Sequence, residues 1–387
     1  MKIHRSTRLF TAFLLLVLIA GGLGACAPRL APPGPGLDAL VADGLTLDGP
    51  QVRESEFITA DGTRLPLRSW APPGGSEPHG VVLALHGFND YSNAFAEAGP
   101  ELAALGLFIY AYDQRGFGAA PHTGLWAGKE ILTGDLTDAA ALLRRRHPGL
   151  PLFLLGESMG GAVVLSALAG PSPPSAEGVI LVAPAVWARS TMPLGQRIAL
   201  WTSAHLFPWA RFSGSGLGIQ ASDNIEMLRG LGRDPLFIKK TRVDAVYGVV
   251  NLMDAALQAA PQIDGDVLLL YGARDEVIPA EPTYSFWRSL PPEAAGPKPS
   301  VQRFALYAEG WHMLLRDLQA RVVIEDIAAW TRDPQAPLPS EAEAYAAEVL
   351  AGLAQENTGE NAGENAGDGA EAEDETAEAG VCSPPAC

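Results

Sequence analysis

Two hydrophobic periods alternate along this chain, and the switches between them outline its elements. Short, largely apolar runs have the length of strands buried on both faces: residues 80–85, 106–112, 152–155, 178–183, 266–271 and 301–307. Between them lie stretches of helical spacing. Residues 129–146 place Ile131, Leu136, Ala139, Leu142 and Leu143 on one side, residues 162–168 read as a buried helix, and helices are also predicted over 92–104 and from Met313 onward. Two further strand-like runs, 52–60 and 64–70, flank Asp61-Gly62, a strong hairpin turn signal. The pattern predicts an α/β domain over residues 51–332, built on a mostly parallel sheet with an antiparallel N-terminal hairpin.

The alternation lapses in three places. Residues 9–20 form an apolar region behind Lys2, Arg5 and Arg8, the layout of an export signal, and are too short to cross a bilayer comfortably. Residues 26–50, rich in Pro and Gly, read as a tether that would span about 25–30 Å. Residues 185–261 read as several short helices and loops set between two strands, a cap insertion, and hold Trp187, Met192, Leu194, Ile198, Leu200, Trp201, Leu206, Phe207, Trp209 and Phe212. Most of these are expected to pack the cap onto the body. Residues 333–387 read as a tail with a short helix around 340–354, followed by three near-identical tetrads from Glu356 to Gly367 and an acidic stretch. Lacking an apolar face, that end is expected to be solvated and disordered rather than a calcium site.

Charge follows the same division. The formal net charge is −17, but residues 333–387 hold thirteen Asp/Glu and no Lys/Arg, so removing them leaves −4 for residues 1–332. No basic stripe with interleaved aromatics is present, which argues against nucleic acid as a partner.

The candidate chemistry sits at strand ends. After the run at 152–155 comes Gly156-Glu157-Ser158-Met159-Gly160, then the buried helix. Strand, G-x-S-x-G and helix together make a sharp turn that can expose a serine nucleophile. The run at 80–85 ends in His86-Gly87-Phe88. Gly87 allows close backbone approach, so the N–H groups of Phe88 and Met159 are candidate oxyanion donors. His86 itself reads as a structural histidine that supports the loop. Asp113 and Arg115, in Asp113-Gln114-Arg115-Gly116-Phe117-Gly118, are expected to fix a turn by ion pairing. Trp126 is either a wall of the site or packing.

The run at 266–271 ends in Gly272-Ala273-Arg274-Asp275-Glu276-Val277-Ile278-Pro279, with Asp275 at the better spacing and Glu276 as the competing carboxylate. Of seven histidines, at 4, 79, 86, 122, 147, 205 and 312, only His312 follows Asp275. The order Ser158, Asp275, His312 suits a nucleophile, an orienting acid and a general base.

This constellation resembles the monoacylglycerol lipase and lysophospholipase branch of the α/β-hydrolases, which shares motifs with serine aminopeptidases; the likeness covers residues 50–332. It implies an α/β-hydrolase fold with a helical cap insertion, Ser158 as nucleophile, His312 as base and acid, Asp275 as orienting acid, and Phe88 and Met159 at the oxyanion. It also implies a small acyl ester or lipid as substrate, and no metal or organic cofactor. Arg233-Asp234-Pro235-Leu236 resembles the D-P-L segment of such caps. Phe88-Asn89-Asp90 departs from the small residue and acidic-His pair common after His-Gly, which bears on the acyl pocket. Two other classes stay open: an aminopeptidase on the same residues, which would need an acidic cluster for a substrate amine, and a non-enzymatic surface lipoprotein on a hydrolase scaffold.

Leu23-Gly24-Ala25-Cys26 resembles a bacterial lipobox, implying a signal peptide over residues 1–25 and lipidation of Cys26. The alternatives are an ordinary secretory signal cut near Ala25 or Ala27, or a retained anchor. A lipidated Cys26 would hold the chain on a membrane of the cell envelope, facing the periplasm or exterior. By resemblance to Gram-negative lipoproteins, Ala27 in place of Asp after the cysteine implies an outer membrane, if the source has one. Cys382 and Cys387, the two remaining cysteines, could pair in an oxidising compartment. The sequence names no protein partner.

Overall fold

The structure, a computed structural model, describes residues 27–364 except 43, 215, 217 and 293–299, with side chains to Gln355. In chain order, helix α1 (Leu37–Ala42) precedes strands β1 (Gln51–Val52), β2 (Glu56–Ile58), β3 (Arg64–Trp70) and β4 (Gly80–Leu85). Helix α2 (Ala98–Ala104), β5 (Leu107–Tyr112), α3 (Lys129–Arg146), β6 (Leu152–Glu157), α4 (Met159–Leu168) and β7 (Gly178–Val182) follow. The cap holds α5 (Leu194–Leu206), β8 (Arg211–Phe212), α6 (Ile225–Arg233), β9 (Thr241–Arg242) and α7 (Val243–Ala259). Then come β10 (Asp266–Gly272), α8 (Ala280–Ser289), β11 (Gln302–Tyr307), α9 (Ala320–Arg332) and α10 (Ala342–Glu364).

Nine strands form one sheet in the order β1-β2-β3-β5-β4-β6-β7-β10-β11. From β5 to β11 neighbours run parallel, in registers such as Leu83↔Leu154, Leu155↔Ile180 and Leu269↔Phe304. β1, β2 and β3 pair antiparallel, and β3 joins β5 antiparallel with Leu67 opposite Tyr112. The expected hairpin and mostly parallel sheet are both present. Apolar residues occupy both faces of the central strands because helices cover both: Phe95, Leu102, Ile324, Ile327 and Trp330 are buried against Val82, Leu155 and Ile180 in one such layer. The strand order reverses at β4, since the chain goes from β4 to β5 on one side and returns to β6 on the other. Such a switch opens a crevice at the C-terminal strand ends.

Several segments depart from the sequence expectation, each because long-range partners override local composition. Residues 27–50 do not form a free tether. The Ala31 amide donates to the Trp126 carbonyl (2.7 Å), the Gly34 amide to the Asp61 carboxylate (2.8 Å) and the Gly36 amide to the Asp61 carbonyl (2.7 Å), while Leu40 is buried. Trp126 is packing: it is buried against Gly248 of α7, where a Cβ would lie 2.4 Å from its ring.

Arg115 and Asp113 do not pair with each other. Arg115 binds Asp135 (2.6 Å), Asp61 (2.7 Å) and the hydroxyls of Thr59 and Thr63, while Asp113 accepts the amides of Ser92 and Ala119 (both 2.9 Å). The predicted helix at 92–104 divides into a 3₁₀ turn, Ser92–Phe95, and α2.

Beyond Arg332 the chain stays on the body: Leu338, Ala342 and Ala346 are buried, and the Asp326 carboxylate accepts the Ser340 amide (3.0 Å). The first compact unit ends at Ala346 and a second begins at Ala347. Helix α10 runs to Glu364 and takes in the first two tetrads, where disorder was expected. Residues 365–387, with both C-terminal cysteines, and Cys26 with the export segment lie outside the described residues. Among the described residues no helix is long and apolar enough to cross a membrane.

Candidate active site

Ser158 stands at the switch point, between β6 and the first turn of α4. Its backbone lies at φ 51°, ψ −115°, a conformation that costs a non-glycine residue roughly 1–3 kcal/mol and persists only where the surroundings impose it. The Ser158 amide donates to the Val182 carbonyl (2.9 Å), and its carbonyl accepts from Ala185 (2.9 Å). The glycines have a steric reason. A Cβ on Gly160 would lie 2.1 Å from the Leu85 carbonyl oxygen, and one on Gly87 would lie 3.3 Å from the Ser158 Cβ. The ends of β4 and β6 meet only because neither position carries a side chain. The serine therefore projects over the N-terminus of α4, where unpaired amides and the helix dipole favour negative charge.

The structure brings the three residues singled out in the sequence into one chain of hydrogen bonds. His312 Nε2 lies 2.9 Å from Ser158 Oγ, and its Nδ1 lies 2.7 Å from Asp275 Oδ2. The other Asp275 oxygen accepts the amides of Val277 (2.7 Å) and Ile278 (2.9 Å), so the carboxylate is fixed at both ends. Glu276 turns elsewhere and accepts the Gln220 amide (2.6 Å). Burial disfavours a charged His312, but the charge and hydrogen bond of Asp275, with Glu157 adding to them, outweigh burial and the opposing Arg316. The imidazole is held above its ordinary range.

His86 supports the loop, as expected. Its Nε2 accepts the Gln114 amide (2.9 Å), so Nδ1 carries the proton and donates to the Gly87 carbonyl (2.8 Å). Burial pushes its pKa down, which keeps it neutral. Phe88 and Met159 flank Ser158 in one cavity of about 340 Å³. The cap covers that cavity with Trp187, Met192, Gln196 and Leu200, α7 contributes Val246, Val249, Val250 and Met253, and the acid's loop adds Val277 and Ile278. No charged side chain lines it among the described residues. Asn89 and Asp90, the departure from the common pattern, do not line it either. The Asn89 carbonyl accepts the Ile238 amide (2.9 Å) and its side-chain amide donates to Thr241 (2.8 Å), which fastens the loop to the cap.

Two features escaped the sequence reading. The first is a buried ion network beneath the serine: Arg316 lies 2.7 Å from Asp90 and 3.4 Å from Glu157, the residue before Ser158. Burial pushes the Glu157 carboxyl up, against the pull of Arg316. Arg316 falls four residues after His312, but a single basic residue carries no local signal of such partners. The second is the outer face of the cap. Seven of the ten large apolar residues singled out there in the sequence are exposed rather than packed on the body, among them Leu194, Ile198, Trp201, Phe207, Trp209 and Phe212. The spacing of Leu194, Ile198 and Trp201 is helical, but periodicity alone does not say which side of a helix meets the core. The cap also contains the β8–β9 ribbon, which the expectation of helices and loops omitted.

Among known proteins, the family model described as serine aminopeptidase, S33, matches residues 76–319. Over 305 residues the chain is 24% identical to a monoacylglycerol lipase of Mycolicibacterium smegmatis, covering 72% of this chain and 96% of the relative. A human monoglyceride lipase is 25% identical over 279 residues, covering 71% and 88%. A solved structure of a soluble variant of monoglyceride lipase from Saccharomyces cerevisiae, in complex with a substrate analogue, superposes with a TM-score of 0.59 at 20% identity, covering 78% and 98%. A carboxyl esterase from Bacillus coagulans gives a TM-score of 0.58 at 19% identity, covering 72% and 97%.

Proposed function

We propose that this chain, which belongs to the serine aminopeptidase S33 family of α/β-hydrolases, is a serine hydrolase that cleaves carboxylic esters of single-chain lipids, monoacylglycerols or lysophospholipids. The observation that carries this reading is the cavity beside Ser158. Apart from Gln196 and Ser158 its walls are apolar, and it holds no carboxylate to receive a substrate amine, so it suits an acyl chain and not the N-terminus of a peptide. The names of the relatives point the same way.

The geometry supports an acyl-enzyme route. His312 Nε2 removes the Ser158 proton as Oγ attacks the ester carbonyl. Asp275 holds the proton on Nδ1 and stabilises the imidazolium. The amides of Phe88 and Met159 would receive the oxyanion, a role in which each donor is worth about 100- to 1000-fold in rate. His312 then returns the proton to the departing alcohol, and water repeats the sequence on the acyl-enzyme. The residues present make this chemistry without a metal or organic cofactor.

A membrane fits the rest of the chain. The cap's exposed apolar residues lie on a basic part of an acidic protein: residues 185–261 carry eight Lys/Arg against five Asp/Glu, where the whole chain has a net charge of −17. Lipidation of Cys26 would place that cap at a lipid surface of the cell envelope, facing the periplasm or exterior.

The test is a panel of monoacylglycerols, lysophospholipids and aminoacyl amides offered to the chain lacking residues 1–25. Ester turnover with inert amides is expected. Amide turnover in preference to ester would make it an aminopeptidase, and turnover of neither would make it a non-enzymatic scaffold.

A further inference from the structure

We propose that Ser222 and Asp317 are positioning residues for His312, the working parts of a clamp through which the cap holds the base against its acid. The inference rests on the serine-hydrolase reading of the site. It begins from a stretch that the sequence misread. A helix was expected from Met313 onward, but α9 begins only at Ala320. The residues that follow His312 are therefore not scaffolded by a helix of their own. Besides the Arg316 ion pairs and the burial of Leu314 and Leu315 in the body, they are held by five residues of the cap, 220–224.

Those five residues reach both catalytic loops. The Gln220 amide donates to Glu276, the neighbour of Asp275 (2.6 Å). The Ala221 carbonyl accepts the Met313 amide (2.9 Å). Asp223 accepts the Leu318 amide (2.9 Å), and the Asn224 side chain donates to the Arg316 carbonyl (3.0 Å). At the centre the Ser222 hydroxyl donates to Asp317 Oδ1 (2.6 Å), while Asp317 Oδ2 accepts the amide of Trp311 (2.8 Å), the residue before His312. Ser222 is 0% exposed and Asp317 6%. Both Asp317 oxygens accept, so its side chain spans the base's loop from Trp311 to the cap; burial pushes its carboxyl up, against the hydrogen bonds from Ser222 and Trp311 and the charge of His312, which favour the ionised form. Without the Ser222 hydroxyl, that carboxylate loses its anchor on the cap and the loop gains freedom at the residue beside the imidazole.

Asp317 also bears on the imidazole's charge. The ionisable groups facing His312 are Asp275 and Glu157, which favour its protonated form, and Arg316, which opposes it. Asp90 is paired with Arg316. Asp317 interacts with His312 from the loop, and Asp223 faces Asp317 from the cap. Removing the Asp317 charge therefore favours neutral imidazole, whereas removing the Ser222 hydroxyl does not change the charge.

The experiment measures kcat, KM and the pH profile of kcat/KM on p-nitrophenyl butyrate for the wild type and for Ser222→Ala, Ser222→Thr and Asp317→Asn. Deuterium uptake of a peptide spanning 311–318 is followed in parallel. In Ser222→Ala, kcat is expected to fall about tenfold with KM held within about twofold, as a small displacement of a catalytic group requires. Its acid limb should stay in place and the peptide should exchange faster. Ser222→Thr, which keeps the hydroxyl, should restore most of kcat. Asp317→Asn should lower kcat and also move the acid limb to lower pH. If Asp317→Asn does not fold, the two Ser222 variants decide. A folded Ser222→Ala with wild-type kcat and exchange, in an active wild type, overturns the clamp alone. A wild type inert to both ester and fluorophosphonate overturns the serine-hydrolase reading, and this one with it.

Discussion

Gly160→Ala puts the closeness of β4 and the elbow to a quantitative test. The added Cβ would lie 2.1 Å from the Leu85 carbonyl oxygen, 2.6 Å from its carbon and 2.9 Å from the Leu85 Cβ. A close C–H···O contact needs roughly 3.3 Å, so the end of β4 and the start of α4 must separate by about 1 Å. The two nearest atoms are backbone and the third is a Cβ fixed to it, so no flexible side-chain end can move aside. The displaced segment of β4 leads directly into His86-Gly87-Phe88, and the displaced turn of α4 carries Ser158 and Met159. A shift of about 1 Å between reacting groups costs on the order of 100-fold in rate, and overpacking a tight interior costs about 1–3 kcal/mol of stability. Gly160→Ala should therefore lose about two decades of kcat on a short ester, label correspondingly slowly with a fluorophosphonate, and melt several degrees lower. Gly134→Ala is the control. That glycine lies inside α3 with nothing within 4 Å of the added atom, so alanine there should keep full activity and stabilise by about 1 kcal/mol. A Gly160→Ala enzyme with kcat within about threefold of wild type would refute the steric account of the elbow.

The remaining predictions concern the base, the pocket and the body. Because Asp275 and Glu157 hold the His312 pKa above the ordinary imidazole value of about 6.5, the base must lose its proton before it can act. A pH series of kcat/KM should show activity rising with pH through an acid limb above that value; a limb below it would contradict the electrostatics. Val246→Phe, on a half-buried wall of the cavity, should lower kcat/KM for long acyl esters about tenfold and leave a butyryl ester unaffected; equal losses on both would mean that the acyl chain lies elsewhere. Arg115→Ala leaves Asp135 buried without its partner, and urea unfolding should register a loss of about 3–5 kcal/mol; a loss below about 1 kcal/mol would show the network to be dispensable.

The candidate site was legible because each of its signals is local. A strand end, a small residue and one reactive side chain fall within a few positions of one another at Ser158, Asp275 and His86-Gly87-Phe88, and chain order then left His312 as the candidate base. What could not be read depends on partners far along the chain. Residues 27–50 have the composition of a linker, but the acceptors that hold them are Asp61 and Trp126. Arg115 and Asp113 stand in one motif, but the carboxylates on Arg115 come from Asp61 and Asp135. The apolar pattern of the cap was visible. Its orientation was not, because pocket-facing Leu200 and exposed Trp201 are adjacent in sequence and differ only in what α5 is packed against. The stretch after His312 looked helical, and it is instead a loop gripped by residues 220–224.

The nucleophilic role of Ser158 is the claim on which the rest depends. Treating the folded chain with a fluorophosphonate and mapping the adduct by peptide mass spectrometry tests it directly. A single phosphonylated residue, Ser158, abolished in His312→Ala, is the predicted result. Folded protein that stays unlabelled, or that carries the adduct on another serine, would contradict it.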